Sequence, residues 1–177
     1  MRRLIATLML CAGAAGAQPA LDATLGDDVT SFRTGIVCTP VVVGTREAPG
    51  TIAGTINHLD EVPDFTVPGQ VVPGVIGVSF GSLVRTDEDF ILVDMVVTHP
   101  PMGPDGVTVQ TYTTRIGPDG DAPILYSLEY PEEVVFGDWR FQARAAGRDL
   151  FDVTFTVVPP AELPELARIC DYVDLLS

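Results

Sequence analysis

Several groups of side chains in this 177-residue chain have types and spacings that could do chemistry. Gly77-Val78-Ser79-Phe80-Gly81 spells G-x-S-x-G, the pattern in which a strand turns sharply into a helix and lifts a serine hydroxyl toward a base. Here the chain runs on as Ser82-Leu83-Val84-Arg85, which is β-like, and the only downstream histidine is His99, in a proline-rich break. Two glycines in a packed strand is the preferred reading, with a secreted serine hydrolase at Ser79 as the alternative. His58 and His99 are the only histidines and fall in separate predicted loops. A transition-metal site wants two or three such ligands in register, so surface or capping roles are expected, with His99 a candidate to line a pocket.

Asp87-Glu88-Asp89 and Asp119-Gly120-Asp121 cluster carboxylates as a Ca²⁺ site does, and a Ca²⁺-dependent binding module is a further alternative. Neither run has the twelve-residue loop spacing or a trailing Glu, so both are read as solvated turn acids, as is Asp60-Glu61 with Asp64. Arg140 and Arg144 share the outward face of an extended segment, with Arg148 in the turn behind it. Together with His99 they are the candidate binding surface, suited to an acidic partner or a carbohydrate. Pairing with Glu129, Glu132 or Glu133 is the simpler account of the arginines. Tyr112, Tyr126 and Tyr130 form an aromatic patch or are half-buried sheet neighbours. No catalytic residue, metal or cofactor is expected from these patterns.

The element that must position these groups runs from Phe136 to Val158. Trp139, Phe141 and Ala143 alternate with Arg140, Gln142 and Arg144; after a Gly147-Arg148-Asp149 turn, Phe151, Val153, Phe155 and Val157 alternate with Asp152, Thr154 and Thr156. Period two on both sides of a turn predicts a β-hairpin with one buried face, which the rest of the chain must cover.

Composition narrows the functional classes. The net charge is −14, with ten Arg and no Lys, which argues against a phosphate-binding nucleic-acid surface and disfavours anionic membranes. Without Lys there is neither Schiff-base chemistry nor a phosphate-loop lysine. Hydrophobic residues make up 46%, enough for a packed core.

Residues 1–17 read as an export signal: Arg2 and Arg3, an apolar run from Leu4 to Ala15, then Ala15-Gly16-Ala17. The run is too short for a spanning helix, so no membrane insertion is expected after cleavage. Loss of the two arginines takes the charge from −14 to −16. Cys11 leaves with the signal; Leu10 before it rules out a lipid-anchored start. Cys38 and Cys170 remain, and an even pair in an oxidising compartment predicts one disulfide, with two buried free thiols as the alternative. Closing so long a loop stabilises by roughly 4–5 kcal/mol in the chain-entropy description.

The predicted order is a loose leader from Gln18 to Ser31, then a β-rich stretch from Phe32 to Thr45 that Pro40 makes an edge strand or breaks in two. A short strand over Thr51 to Asn57 and an acidic loop from His58 to Pro63 follow. Next come a strand over Val75 to Val84 and a central strand over Phe90 to Thr98, covered on both sides and ended by Pro100-Pro101. Gly103-Pro104-Asp105-Gly106 recurs as Gly117-Pro118-Asp119-Gly120, turn chemistry typical of hairpin loops on either side of a β-prone Val107 to Ile116. Ile124 to Tyr130 is the strand after it. Past Pro159-Pro160, Leu166, Ile169, Val173 and Leu176 recur at helical spacing behind Pro164, predicting a short amphipathic helix tied down by Cys170. The fold class is all-β, an Ig-like antiparallel β-sandwich with a short C-terminal helix. Its organisation is a signal over 1–17, a sandwich over 18–158 and a helical tail over 159–177.

One set of motifs adds a resemblance. Val72-Pro73-Gly74 leading to Gly77-Val78-Ser79-Phe80-Gly81, the His99-Pro100-Pro101 break, Gly137-Asp138-Trp139-Arg140-Phe141 and a closing Phe155-Thr156-Val157 resemble the bacterial domain-of-unknown-function family 3859. The resemblance covers about residues 50–158 and leaves out the N-terminal third and the Cys38/Cys170 pair. It implies a small exported β domain and carries no assigned activity, so no catalytic residue follows from it. The resulting expectation is a non-enzymatic, soluble periplasmic or secreted module that binds an unknown protein or envelope component.

Overall fold

The computed structural model describes residues 21–172. The proposed export signal, and Val173 and Leu176 of the proposed helix, lie outside the described residues.

Twelve strands are described: β1 Ala23–Leu25, β2 Val29–Val37, β3 Val42–Glu47, β4 Thr55–Leu59, β5 Val67–Pro68, β6 Val71–Pro73, β7 Ser79–Thr86, β8 Phe90–Met102, β9 Val107–Ile116, β10 Ala122–Ser127, β11 Gly137–Ala145 and β12 Arg148–Val158. One sheet runs β1-β12-β11-β8-β9, with the short β6 parallel to β12; the facing sheet runs β10-β7-β2-β5. The strands β3 and β4 pair only with each other and form a separate flap. Two sheets closing over a shared apolar filling is the β-sandwich expected from the period-two patterning, and its other pairings are antiparallel. The described part of the tail holds helix α1, Pro164–Ile169, with proline in its first turn as predicted.

The hairpin of β11 and β12 stands at the centre of the six-stranded sheet, with Trp139 opposite Phe155 and Phe141 opposite Val153. Trp139, Phe141, Phe151, Val153, Phe155 and Val157 are all buried. The turn is one step earlier than Gly147-Arg148-Asp149: Ala146 and Gly147 carry φ of 50° and 78°, the two left-handed residues of a tight two-residue hairpin. Phe80 of the facing sheet is edge-on to Trp139 at 5.4 Å, and Phe141 and Phe155 lie within 5.6 Å of the same ring.

Several local expectations change. The second half of the "loose leader" is ordered, because β1 takes the open edge of β12 and β2 begins at Val29. Pro40 does break its stretch in two. The short strand over 51–57 shifts to Thr55–Leu59 and takes in His58, while 51–54 is a turn. The strand expected from Val75 begins at Ser79, and residues 75–78 form a turn instead. The strand expected to be covered on both sides is covered on one: Ile91 and Leu92 are 70% and 68% exposed on β8. Two-sided burial belongs to β7, where Ser79 through Val84 are all buried. Nor do Pro100 and Pro101 end β8. They sit where its register with β9 shifts between Thr98 and Met102, and past its last pair with β11, Thr98 with Arg140, so no ladder hydrogen bond needs their missing N–H. Of the two Gly-Pro-Asp-Gly turns, the first joins β8 to β9 as a hairpin. The second carries the chain from β9 in one sheet to β10 in the other.

Gly81 of β7 lies close against the backbone of β10. Its φ is 153°, and an added Cβ would stand 2.0 Å from the Ile124 carbonyl oxygen, so only glycine fits.

The predicted disulfide is present: Cys38 and Cys170 are bonded, with Cα atoms 5.0 Å apart and a sequence separation of 132. It fastens the end of β2 to the turn after α1, whose Leu166 is buried in the main core with Tyr172 close behind. Ile169, predicted for the same apolar stripe, is 54% exposed, because the helix ends there after six residues.

Candidate functional site

Strands β9 and β10 are the outermost members of the two sheets at the same end of the sandwich. Their free edges leave an opening there, and the β3–β4 flap covers it. The result is a cleft of about 380 Å³ walled by β4, β9 and β10. The flap is attached at a few points. The Thr111 N–H donates to Gly50 O at 2.9 Å, the Ile52 N–H to Gln110 Oε1 at 2.8 Å, and Asn57 Nδ2 to Glu129 Oε1 at 2.6 Å. The Arg46 guanidinium donates to the Thr113 carbonyl.

A buried polar chain runs behind the cleft floor. Glu133, 4% exposed, closes a 3-10 turn by accepting the backbone N–H groups of Glu129 and Tyr130 on Oε2 and the Tyr126 hydroxyl on Oε1 at 2.9 Å. Gln110 Nε2 donates to the Tyr126 oxygen and reaches His99 Nε2, both at 3.1 Å. His99 Nδ1 lies 2.8 Å from Pro100 O. A carbonyl can only accept, so Nδ1 carries the proton and Nε2 accepts from Gln110. The amide of Gln110 cannot turn over, because its oxygen already accepts from Ile52. The Tyr126 ring is 4.8 Å from Trp139, and so is the His99 ring. Burial pushes the Tyr126 phenol well above the ordinary range, so it stays a donor.

Burial, opposed in part by the Pro100 carbonyl, lowers the pKa of His99 from its ordinary 6.5. Because the folded pKa is depressed, the neutral ring's contribution to stability is fully present above about pH 6.5 and is lost as pH falls toward the folded value. Protonation would also set an N–H on Nε2 against the Gln110 amide, two donors facing each other. The melting temperature is therefore expected to fall between pH 7 and pH 5, and His99→Phe to flatten that slope. An equally steep slope in the variant would place the titrating group elsewhere.

The residues singled out from sequence are distributed as follows. Ser79 is fully buried within β7, and its hydroxyl is paired with the Ser127 hydroxyl at 2.6 Å, not with a histidine; no strand-to-helix turn follows it. His58 is exposed on the cleft wall. His99, expected at a surface, is 3% exposed behind Gln110, so it shares no surface with the three arginines. Those arginines pair with acids other than the predicted Glu129, Glu132 and Glu133: Arg140 with Asp152, Arg144 with Asp149 at 2.9 Å, and Arg148 with Asp28 and Glu88 at 2.6 and 2.7 Å. The reason is local, since each partner lies across the hairpin or at the adjoining sheet edge, whereas Glu133 is turned into the core. Arg148 also stands over the Phe90 ring at 5.0 Å. The two acidic runs are held by arginine: Asp89 and Asp119 by Arg115, Asp121 by Arg33 and Arg85. These cations hold Asp89 and Asp121 below the usual carboxylate range. Among the described residues, no group of three or more His, Cys, Asp or Glu could hold a metal. Of the tyrosines, Tyr112 and Tyr126 line the cleft and Tyr130 is exposed beside it.

Sequence reasoning missed Gln110, Glu133, Arg46 and the flap. One signal was available on β9: its inward register reads Gln110, Tyr112, Thr114, Ile116, so three of four positions facing the interior carry polar atoms.

Comparison with known proteins follows the same outline. The family model for a domain of unknown function, DUF3859, matches residues 28–157, starting about twenty residues before the span of about 50–158 that the resemblance covered and taking in Cys38, which it had left out. A crystal structure described as an immunoglobulin-like protein from Pseudomonas aeruginosa is 17% identical, with a TM-score of 0.48, covering 82% of this chain and all of that one. No curated protein matches the chain.

Proposed function

The chain belongs to the DUF3859 family, and from that premise we propose that it is a non-enzymatic binding module working outside the cytoplasm, whose ligand or partner seats in the flap-covered cleft. The observation that carries this is the cleft itself: a concavity of about 380 Å³ with polar groups converging on it, roofed by a two-stranded flap that belongs to neither sheet. The groups that elsewhere suggested chemistry are occupied. The Ser79 hydroxyl is buried and paired, and the outward arginines are matched by carboxylates. The Cys38–Cys170 bond suits an oxidising compartment, and no helix among the described residues is long and apolar enough to cross a membrane. The periplasm, reached by an export signal over residues 1–17, is the compartment that fits both, and an envelope protein or envelope component is the proposed partner.

Site-specific photo-crosslinking in the native envelope tests the reading. A benzophenone side chain at Ile56 or Leu125, on the cleft wall, is expected to give a discrete adduct. The same group at Thr154, on the outer face of the six-stranded sheet, is expected to give none. Adducts from Thr154 alone, or equal adducts from both faces, would overturn the assignment of the cleft.

A further inference from the structure

Eight arginines lie in the described part of the chain, and seven of them are ion-paired: Arg33, Arg85, Arg115, Arg140, Arg144, Arg148 and Arg168. Arg46 is the exception, having no carboxylate partner among the described residues. On a chain of net charge −14, where acids outnumber bases 24 to 10, an arginine without an acid is the unexpected case. This one lines the cleft. Its Nη2 donates to the Thr113 carbonyl, which orients the guanidinium and leaves its other donors for a ligand.

Three further features specify what would satisfy it. The cleft walls β4 and β10 are each paired along one edge only, to β3 and β7, whereas β9, paired to β8, already gives the Thr111 N–H and the Thr113 carbonyl of its other edge to the flap. Unpaired strand edges present backbone N–H and C=O groups at the spacing of another extended chain. Along β4, Ile56 is opposite Arg46, and Asp60 lies four residues on, about 13 Å away at strand rise. Asp60 and Glu61 also line the cleft and have no arginine partner among the described residues. The other charged side chains lining the cleft are engaged, Arg115 by Asp89 and Asp119, Glu129 by Asn57 and Glu133 by Tyr126 and two backbone N–H groups, which leaves Arg46 as the uncommitted cation and Asp60 and Glu61 as acids beyond the other end of β4.

We propose that the cleft takes a short extended peptide end of about four residues, with its terminal carboxylate on Arg46 and its N-terminal side toward Asp60 and Glu61. This rests on the reading of the cleft as the binding site and names the chemistry of its occupant. Strand edges favour a peptide over an acidic sugar, which has no repeating amide to pair with them.

The test uses the disulfide-bonded protein, ¹⁵N-labelled, titrated with Ala-Val-Ala-Val bearing a free carboxyl terminus and with the same peptide as its C-terminal amide. The free acid is expected to shift the amide signals of Arg46, Thr114 and Leu125, and the C-terminal amide to bind at least about tenfold more weakly. Arg46→Gln is expected to reduce the free acid to the level of the amide; Arg46→Lys, which keeps a cation there, restores part of the preference. Equal binding of acid and amide, or no shift with either, overturns the proposal. So does Arg46-dependent binding of tetragalacturonate that displaces the peptide, which would make the occupant an acidic glycan. In each of these cases the photo-crosslinking result stands or falls separately, so a wrong occupant is distinguishable from a wrong site.

Discussion

Trp139→Ala is expected to destabilise the protein by about 3–5 kcal/mol, the usual cost of emptying a fully buried aromatic site. The indole is wholly buried, with Phe80, Tyr126 and His99 against it at 5.4, 4.8 and 4.8 Å. Its Nε1–H donates to the Val135 carbonyl at 3.2 Å, fixing the segment that leads from Glu133 into β11. The alanine variant therefore leaves a cavity, and it removes the ring on which the His99–Gln110–Tyr126 chain rests. A domain of this size has roughly 5–15 kcal/mol of stability in all, so the loss is a large share of it. Urea unfolding followed by far-UV circular dichroism measures the effect, since the variant lacks the only tryptophan. Trp139→Phe, which keeps an aromatic ring, is expected to lose distinctly less. A midpoint for Trp139→Ala that corresponds to under about 1 kcal/mol would mean that the two sheets close without the indole.

Cys38→Ala combined with Cys170→Ala is expected to cost about 4–5 kcal/mol, on the chain-entropy cost of a loop spanning 132 residues. At roughly 2–4 °C per kcal/mol for a domain of this length, the melting temperature falls by about 8–20 °C. The same shift is expected when the wild type is melted in reductant. What the bond fastens explains why the full loop entropy is in play. The tail beyond Pro159-Pro160 is not an appendage, because Leu166 and Tyr172 are buried in the main core and the Tyr172 hydroxyl donates to Leu163 O at 3.4 Å. The bond therefore joins β2 of one sheet to an element that completes the filling between both. If reduction left the melting temperature within a degree or two, the tail would be fraying alone and the sandwich would stand without it. Calorimetry with and without reductant separates the two outcomes.

A β-sandwich such as this one ends in edge strands at the margin of each sheet. The cleft is such an edge. Closure of a sandwich leaves its outermost strands with unpaired backbone, and a protein can cover that backbone or use it. Here the flap covers it partly, pinned through Gly50, Ile52, Arg46 and Asn57, and the cleft remains beneath.

Strictly local patterns were legible in the chain itself. The alternation around Trp139 specified a hairpin with one apolar face, because side chains of a strand alternate between its two faces whatever surrounds it. The count of cysteines beyond the proposed signal left a single pair, and Pro164 marked the first turn of α1 because a proline there gives up no hydrogen bond. What composition excluded also rests on the chain alone, since net charge is independent of the fold. Pairings between distant segments were not legible. Whether Phe90 to Thr98 was buried on one face or two depended on which layer covered it. The partners of Arg140, Arg144 and Arg148 depended on register across a hairpin and on a sheet edge. His99 looked like a loop residue beside two prolines, and it became a core residue only because β8 runs through those prolines at a shift in register. The cleft depended on the tertiary structure most of all. Gln110, Tyr126, Glu133 and Arg46 come from four separate elements, and their spacing in sequence carries no trace of their meeting. Local backbone preference acts over a few residues and can be read in order along the chain; the site is made by long-range burial, which is decided only when the two sheets and the flap close together.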